Sequence, residues 1–353
     1  MLKVSDVFKF ISMSGLVEEL SKVRHGVENN FSPYHLEDNI MIHTQMVADK
    51  IMELFKRDID KNPKLLLMAY LHDIGKPVTE QIIETKKRKR KIFNGHDYAS
   101  ALLAIGYLRK FEEYTGARFT DEEKREIILP ILFHQLAHKY PVNTLTFPFL
   151  SKTEIWNLYM LEKADDLGRI TENRNLNKNV DFQKIEEYWK WKNETDKYEK
   201  EIHLFYGIPG TGKTTFRKQM IEKHGEENIG VISYDDIVEE YAARVGKTYK
   251  EVYDEIDKNW AQKKMNEKIR NAKEKDIVIV DMTNLTKKTR RNWLNRFKNR
   301  KRIIHIFLRD LNEIPKIRED KMPIEIIYNM LKSNTIPDII DEKINELQFH
   351  FIF

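Results

Sequence analysis

The pattern of apolar and polar positions changes character a little past the middle of the chain. Through about the first 180 residues, apolar side chains recur at steps of three and four, which predicts amphipathic helices. Five segments show this period: Asn39–Phe55, Pro63–Leu71, Tyr98–Phe111, Asp121–His138 and Lys152–Leu167. A polar insertion between Pro77 and Asn94 interrupts them and is expected to form a β-ribbon or a loop. The first half is therefore predicted to be almost wholly helical.

In the second half, short apolar runs alternate with helical segments. The strand-like runs are Ile202–Tyr206, Ile229–Ser233, Asp276–Val280 and Arg302–Leu308, and one long helix is expected over Tyr249–Ala272. This alternation predicts a parallel sheet covered by helices on both faces. The apolar run Phe349–Phe353 either adds an edge strand or packs back on the sheet.

A charged, Asn-rich stretch at 172–200 separates the two patterns. We predict a multidomain protein in three parts: an all-α domain at 1–185, a linker helix at 186–200 and an α/β domain at 201–353. A chain of 353 residues is too long for one ordinary core, which agrees with two domains.

Composition narrows the chemistry. The chain is 41% hydrophobic and 33% charged, as expected of a soluble protein, and it has no cysteine. Disulfides and Cys-ligated zinc are excluded, so any metal ion must be held by His, Asp or Glu. The first residues do not resemble a signal peptide, and no apolar run approaches the ~20 residues of a membrane span. We expect a cytoplasmic protein without a membrane partner.

The net charge is only +5, but the basic residues are clustered. Residues 287–302 include nine Lys and Arg and no acid, and 86–91 form a second basic run. Such runs are either solvated faces or contacts for a polyanion. The run at 287–302 lies in the α/β half and there favours a polyanionic acceptor.

The most specific motif follows the first strand of the α/β half. The segment Gly207-Ile-Pro-Gly-Thr-Gly-Lys213-Thr214 lies between that strand and a helix, which is the context of a phosphate-binding loop. Glycines allow backbone N–H groups to converge on phosphate oxygens, Lys213 is expected to reach the outer phosphates, and the Thr214 hydroxyl is expected to bind Mg²⁺. The predicted nucleotide-binding residues are Gly207, Gly210, Thr211, Gly212, Lys213, Thr214 and Thr215.

Histidines and aspartates recur through the helical half, each within or beside an apolar segment. They are His43, His72, Asp73, His96, Asp97, His134, His138, Asp165 and Asp166. A lone histidine on an apolar face is usually an ordinary core residue, but burying several unpaired ionisable groups in one domain would be costly. Divalent metal ions bind imidazole and carboxylate together, so the set predicts a metal centre.

These residues also carry a resemblance. The segments Ile42-His43-Thr44, Leu71-His-Asp-Ile-Gly-Lys76, Gly95-His96, His134 and Ala164-Asp165 resemble the HD superfamily of metal-dependent phosphohydrolases. The resemblance implies one or two divalent transition metal ions, with Asp73 bridging two of them. The implied ligands are His43, His72, Asp73 and Asp165 for one ion and His96 and His134 for the second. Lys76 is left either as a phosphate contact or as a solvent-exposed side chain. His138 is left as a general acid or as a support for a ligand, which is also the role considered for Asp97 and Asp166.

In the α/β half, Asp235 and Asp236 follow the second predicted strand. A carboxylate at that edge of the sheet is placed to accept the proton of an attacking hydroxyl, although an aspartate there also caps helices. With Asp281 and Asn284 after the next strand, this half resembles the kinase domain of phage polynucleotide 5′-kinases. The resemblance implies Asp235 as general base and an arginine-bearing lid over the phosphates, for which Arg318 or Lys321 is the candidate. It also implies an acceptor side organised by Asp281 and Asn284. The basic contacts to the acceptor are left to Arg290 or Arg291, or to Arg244.

Together the two halves resemble bifunctional enzymes that heal nucleic-acid ends. That resemblance implies metal-dependent hydrolysis of 3′-phosphate or 2′,3′-cyclic phosphate ends, and phosphorylation of 5′-hydroxyl ends of RNA or DNA by ATP or GTP with Mg²⁺. A downstream ligase is then an expected partner, and a homodimer is left open. Two alternatives stay open: a nucleotidase fused to a kinase of nucleosides or other alcohols, and an NTP-gated module that binds nucleic acid.

Overall fold

The computed structural model describes residues 2–27, 32, 35–84, 89–172, 180–314, 316 and 323–353. Within these residues, the amino-terminal half is built from helices and one β-hairpin. The elements are α1 Val4–Met13, α2 Leu16–Ser21, α3 Ile40–Leu54, α4 Lys56–Lys61, α5 Leu66–Leu71, α6 Lys76–Thr79, β1 Gln81–Glu84, β2 Lys89–Ile92, α7 His96–Thr115, α8 Asp121–Ala137, α9 Lys152–Leu167 and α10 Phe182–Thr195. The five predicted helical segments are all present, and the insertion after Pro77 forms the antiparallel hairpin of β1 and β2.

The carboxy-terminal half alternates strands and helices. Its elements are β3 Glu201–Tyr206, α11 Lys213–His224, β4 Ile229–Ser233, α12 Tyr234–Val245, α13 Tyr249–Tyr253, α14 Lys258–Glu274, β5 Ile277–Asp281, α15 Lys287–Arg296, β6 Lys301–Arg309, α16 Ile324–Lys332, α17 Ile339–Glu342 and β7 Glu346–Ile352. The strands form one sheet in the order β4-β5-β3-β6-β7, and each neighbouring pair is parallel. The predicted fold class, a helical domain followed by an α/β domain with a parallel sheet, is confirmed.

Two details of the second half go beyond the sequence pattern: one corrects a predicted helix, and the other settles where the apolar run at 349–353 lies. The single helix expected over 249–272 is two helices, because Asp257 caps a new helix by accepting from the N–H groups of Asn259 and Trp260. The apolar end of the chain is an edge strand: β7 pairs with β6, with Ile306 opposite Phe349.

One apolar core runs through both halves. The cluster of buried side chains that includes Leu71 and Leu102 also contains Leu204 and Ile304 from the sheet. Phe133 of α8 packs edge-on against Phe349 of β7, with ring centroids 5.9 Å apart. The two domains are therefore packed on each other across an apolar contact.

Helix α10, near the expected linker, also joins the second half. The Tyr188 hydroxyl donates to the Ile344 carbonyl at 2.9 Å. The domain boundaries at 185 and 200 stay predictions. No helix in the described part of the chain is long and apolar enough to cross a bilayer.

Candidate functional site

Five helical segments bring the six predicted metal ligands of the first half to one point. His43 lies on α3, His72 and Asp73 follow α5, and the others lie on α7, α8 and α9. All six side chains are buried: His43, His72, Asp73, His96, His134 and Asp165. The apolar faces of these helices pack into the core, which fixes the backbone from which each ligand projects.

Asp73 lies at the centre of this cluster, between two pairs of imidazoles. Its Oδ2 atom is 3.7 Å from His43 Nε2 and 3.3 Å from His72 Nε2. Its Oδ1 atom is 3.3 Å from His96 Nε2 and 3.9 Å from His134 Nε2. Each pair of imidazoles with Asp73 forms a group close enough to hold a metal ion. The arrangement is that of two adjacent cation sites with a shared carboxylate.

The orientation of the imidazoles supports this assignment. The Nδ1 atoms of His72, His96 and His134 hydrogen-bond the backbone carbonyl three residues earlier, at 2.7, 2.7 and 2.6 Å. The proton is thus held on Nδ1, and each Nε2 lone pair points toward Asp73, as in metal-binding histidines. His72 Nε2 is buried and has no hydrogen-bond partner among the described residues.

The strongest sign of a cation lies between His96 and His134. Their Nε2 atoms are 3.1 Å apart, and with both protons on Nδ1 neither atom has a hydrogen to donate. Two facing lone pairs repel each other unless a cation lies near them. Burial lowers the pKa of His96 to about 4 and that of His134 well below its usual range, so both stay neutral at pH 7. These residues fit a divalent ion.

Asp165 and Glu37 complete the surroundings of His43. Asp165 Oδ1 is 3.1 Å from His43 Nε2, and Glu37 Oε1 is 3.1 Å from His43 Nδ1. Burial alone would lower the pKa of His43, but the nearby carboxylates of Asp165 and Glu37 outweigh it and raise the pKa to about 9. Glu37 was not predicted from the sequence, because it lies in a polar stretch outside any helical period. It orients a ligand imidazole from behind.

A third group, His25, His35 and Glu37, is also close enough to hold an ion. However, the Lys76 ammonium lies 2.9 Å from His25 Nε2, which disfavours a second cation there. Lys76 also contacts Asp73 Oδ2 at 2.6 Å and is only 5% exposed, so the solvent-exposed alternative for Lys76 is wrong.

A cavity of about 220 Å³ opens beside the cluster. Asp73 and Asp165 line it together with the basic side chains of Lys76, His138 and Arg169. The arrangement of basic groups around carboxylate ligands suits an anionic substrate such as a phosphate ester.

The three residues considered as supports have separate contacts. His138 Nε2 lies 2.8 Å from Asp165 Oδ2. Asp166 is paired with Arg169, and Asp97 Oδ1 accepts from the Tyr98 N–H at 2.7 Å. Of the three, His138 is the one in contact with a predicted ligand.

The phosphate-binding loop begins where β3 ends. Gly210 and Gly212 adopt φ of 85° and 92°, which favours glycine, and α11 starts at Lys213. Lys213 Nζ donates to the carbonyls of Gly207 and Ile208 at 2.8 Å each, so the side chain folds back over the loop. The seven predicted residues lie together in this loop and the first turn of α11: Gly207, Gly210, Thr211, Gly212, Lys213, Thr214 and Thr215.

Three carboxylates lie near the same edge of the sheet, where β4 and β5 end. Arg217 Nη1 contacts Asp236 Oδ1 at 3.0 Å and Asp281 Oδ2 at 3.2 Å. Asp235 is exposed and accepts a hydrogen bond from the Tyr249 hydroxyl at 2.8 Å. Ser233, not an aspartate, caps α12 by accepting from the Asp236 N–H. Arg217 was not predicted, since nothing in the helical pattern of α11 sets it apart from its neighbours.

Two of the residues expected on the acceptor side are buried instead. Asn284 is 1% exposed, and its Nδ2 donates to the carbonyls of Phe205, Val280 and Met282 at 2.9, 3.2 and 3.4 Å. Arg290 is fully buried and forms a two-pronged ion pair with Glu342. Both side chains hold the backbone around the end of β5, and their expected part in the acceptor side stays a prediction.

Much of the basic run at 287–302 is likewise part of the scaffold. The Arg300 guanidinium donates to the carbonyls of Glu201, Lys273, Lys275 and Asp276. Burial lowers the pKa of Arg300 even so. The run is therefore not one solvated basic face.

Of the other residues in that run, Arg302 lies over the Trp191 ring and Lys287 pairs with Asp341. Arg291 stays exposed and donates to the Asp341 carbonyl at 2.9 Å. The lid candidates Arg318 and Lys321, and residues 86–88 of the second basic run, lie outside the described residues.

Comparison with known families agrees with this division. Residues 40–150 match a family model described as the HD domain, and residues 202–315 match one described as an AAA domain. The first match spans all the predicted metal ligands except Asp165, and the second begins in β3 and includes the phosphate-binding loop. A search of the curated proteins found no match to this chain.

Proposed function

We propose that this chain, which joins an HD domain to a P-loop kinase-like AAA domain, repairs the two ends of a broken nucleic-acid strand. The metal centre hydrolyses a 3′-phosphate or 2′,3′-cyclic phosphate, and the P-loop half transfers the γ-phosphoryl group of ATP or GTP to a 5′-hydroxyl. Neither unprocessed end can be ligated, so a ligase would act next on the product.

The observation that supports a kinase over a simple NTPase is that two of the three carboxylates are paired with an arginine and the third is exposed. Arg217 neutralises Asp236 and Asp281, whereas Asp235 is exposed at the carboxyl edge of β4. Ligands bind at that edge of a parallel sheet. Asp235 can accept the proton of an attacking alcohol, which is the task of the base in phosphoryl transfer.

In the HD half, the residues around Asp73 would hold one or two divalent ions. When bound, such ions supply the positive charge that promotes attack of water on phosphorus. Lys76 and Arg169 face the cavity and bind the phosphate oxygens by charge-assisted hydrogen bonds. His138, beside Asp165, is placed to protonate the leaving oxygen.

The test measures both activities on one oligonucleotide that carries a 5′-hydroxyl and a 3′-phosphate, in variants that should each lose only one activity. Asp235→Asn should lower 5′-phosphorylation at least about a hundredfold and retain 3′-end hydrolysis. Asp73→Asn should do the reverse. Asp254→Asn, an equal charge change at an exposed position, serves as the matched control. Loss of both activities from either single variant, with folding intact, contradicts two separate sites.

One observation favours a second candidate, in which the kinase half acts on a nucleoside or another small alcohol. Arg290, Arg300 and Arg302 are engaged with backbone and Glu342, so less positive charge faces solvent than the sequence indicates. Phosphate transfer to free nucleosides at rates that exceed transfer to an oligonucleotide would support this candidate over end healing.

A further inference from the structure

Helix α7 contacts both candidate sites through its first turn. His96, its first residue, lies in the metal cluster. Two residues later, Tyr98 is fully buried, and its hydroxyl donates to the Phe307 carbonyl on β6 at 2.7 Å. The same hydroxyl also interacts with the backbone of Ile208 in the phosphate-binding loop. A side chain of the HD domain thus reaches the loop that grips phosphate.

The Tyr98 side chain packs closely against the phosphate-binding loop. A Cβ atom on Gly207 would lie 3.3 Å from the Tyr98 hydroxyl oxygen. The Tyr98 ring also packs edge-on against Tyr206, the last residue of β3, with centroids 5.1 Å apart. On the other side of the same turn, a Cβ atom on Gly95 would lie 2.1 Å from the Leu331 carbonyl oxygen of α16. The start of α7 is therefore wedged between β3 and α16.

The Gly207–Ile208 peptide needs an outside partner. Its carbonyl, that of Gly207, accepts from Lys213 Nζ at 2.8 Å, and the next carbonyl, that of Ile208, accepts from Thr211 Oγ1 and Lys213 Nζ, both at 2.8 Å. These bonds hold the Gly207 carbonyl from within the loop, so the Ile208 N–H is the group of this peptide that is left for a partner outside the loop. Ile208 is fully buried, so without an acceptor from elsewhere this N–H would be unpaired. The Tyr98 hydroxyl oxygen, which lies beside Gly207 and interacts with the Ile208 backbone, is the acceptor next to it.

We propose that Tyr98 is a positioning residue for nucleotide binding: the HD domain supplies the hydroxyl that holds the Gly207–Ile208 peptide of the phosphate-binding loop in its binding geometry. This proposal rests on the proposed use of the loop for an NTP. A loop held in advance loses less conformational entropy on binding. The α/β half is then incomplete without the helical half, although every residue of the loop motif lies within it.

The experiment compares Tyr98→Phe with Tyr107→Phe in the full chain. Both changes delete one hydroxyl from α7. The Tyr107 hydroxyl, however, lies 3.4 Å from Glu19 Oε2 and away from the loop. Binding of Mg·ATP and Mg·GTP is measured by titration calorimetry, with Lys213→Ala as the reference for a disabled loop. We expect Tyr98→Phe to raise the Kd about tenfold, the loss of one hydrogen bond in a buried site, and Tyr107→Phe to leave it within twofold.

A steady-state measurement separates positioning from general destabilisation. The KM for the nucleotide should rise in Tyr98→Phe while kcat at saturating nucleotide is retained. If the wild type and Tyr98→Phe bind nucleotide with the same affinity, the Tyr98 proposal is wrong and the proposed function is unaffected. A wild type that binds neither Mg·ATP nor Mg·GTP overturns the proposed function, and the proposal for Tyr98 with it.

Amide hydrogen exchange decides the case if Tyr98→Phe does not fold. In the nucleotide-free wild type, the Ile208 amide should exchange far more slowly than in an unstructured peptide. Exchange of Ile208 at the unstructured rate means that no hydrogen bond holds it, and the proposal fails.

Discussion

Arg290 offers a direct test of whether the basic run at 287–302 is scaffold or acceptor site. Its guanidinium donates to Glu342 through Nε at 2.8 Å and through Nη2 at 2.7 Å, and both side chains are fully buried. Nη1 donates to the carbonyls of Asn284, Leu285 and Thr335 at 3.0, 3.1 and 2.9 Å. Replacing Arg290 with Met keeps most of the side-chain volume and removes every donor.

The cost follows from what is left behind. Removing one member of a buried ion pair costs about 3–5 kcal/mol, because the remaining charge is buried without its partner. Glu342 keeps one donor, the Asp338 N–H at 3.0 Å, which limits the loss. We therefore expect Arg290→Met to lower the free energy of unfolding by about 4 kcal/mol. Lys288→Met, at an exposed position of the same helix, should change it by no more than about 0.5 kcal/mol.

Urea unfolding followed by tryptophan fluorescence measures the difference, since Trp293 lies on the same helix. The double variant Arg290→Met with Glu342→Met should regain part of the loss, because it leaves no unpaired charge. The reasoning is refuted if Arg290→Met is as stable as the Lys288 control and instead raises the KM for an oligonucleotide acceptor.

Three further outcomes are expected. Burial lowers the pKa of His350 to about 4 from 6.5, so between pH 7 and pH 5 the unfolded chain gains a proton that the folded chain does not, at a cost of about 2 kcal/mol. His350→Phe should therefore lose about that much less stability over this range than the wild type, in urea unfolding at the two pH values. Glu37→Gln should weaken Mn²⁺ binding about ten- to a hundredfold by calorimetry, because the negative charge behind the His43 imidazole is lost. Stripping metal with a chelator should abolish 3′-end hydrolysis and lower the melting temperature, since the lone pairs of His96 and His134 then face each other; adding Mn²⁺ back should restore both.

Local spacing was enough to predict the architecture. The helical periods and the strand-helix alternation gave the fold class, because each reflects which face of one element meets the core. The resemblance to the HD superfamily grouped the residues that the structure brings around Asp73, and the loop motif between a strand and a helix grouped those of the phosphate-binding loop. The loop motif lies on one strand–helix connection, whereas the ligands around Asp73 come from five helical segments.

Partners from distant parts of the chain could not be predicted in this way. Arg217 differs in no visible respect from other polar residues of α11, yet it bridges two carboxylates at the ends of other elements. The orientation of the arginines in the basic run at 287–302 could not be predicted for the same reason. A helical period does not tell whether a given arginine faces water or, like Arg290, the interior, because the neighbouring segment at 335–342 decides that.

The shared apolar core has a consequence for the thermal inactivation of this protein. When catalytic units are linked only by a tether, each is inactivated at its own temperature, and the two activities fade in sequence. Here, opening either half would expose the face on which the other rests. Both activities should therefore disappear along a single thermal curve, and cutting the chain in two should yield fragments that aggregate rather than two working enzymes.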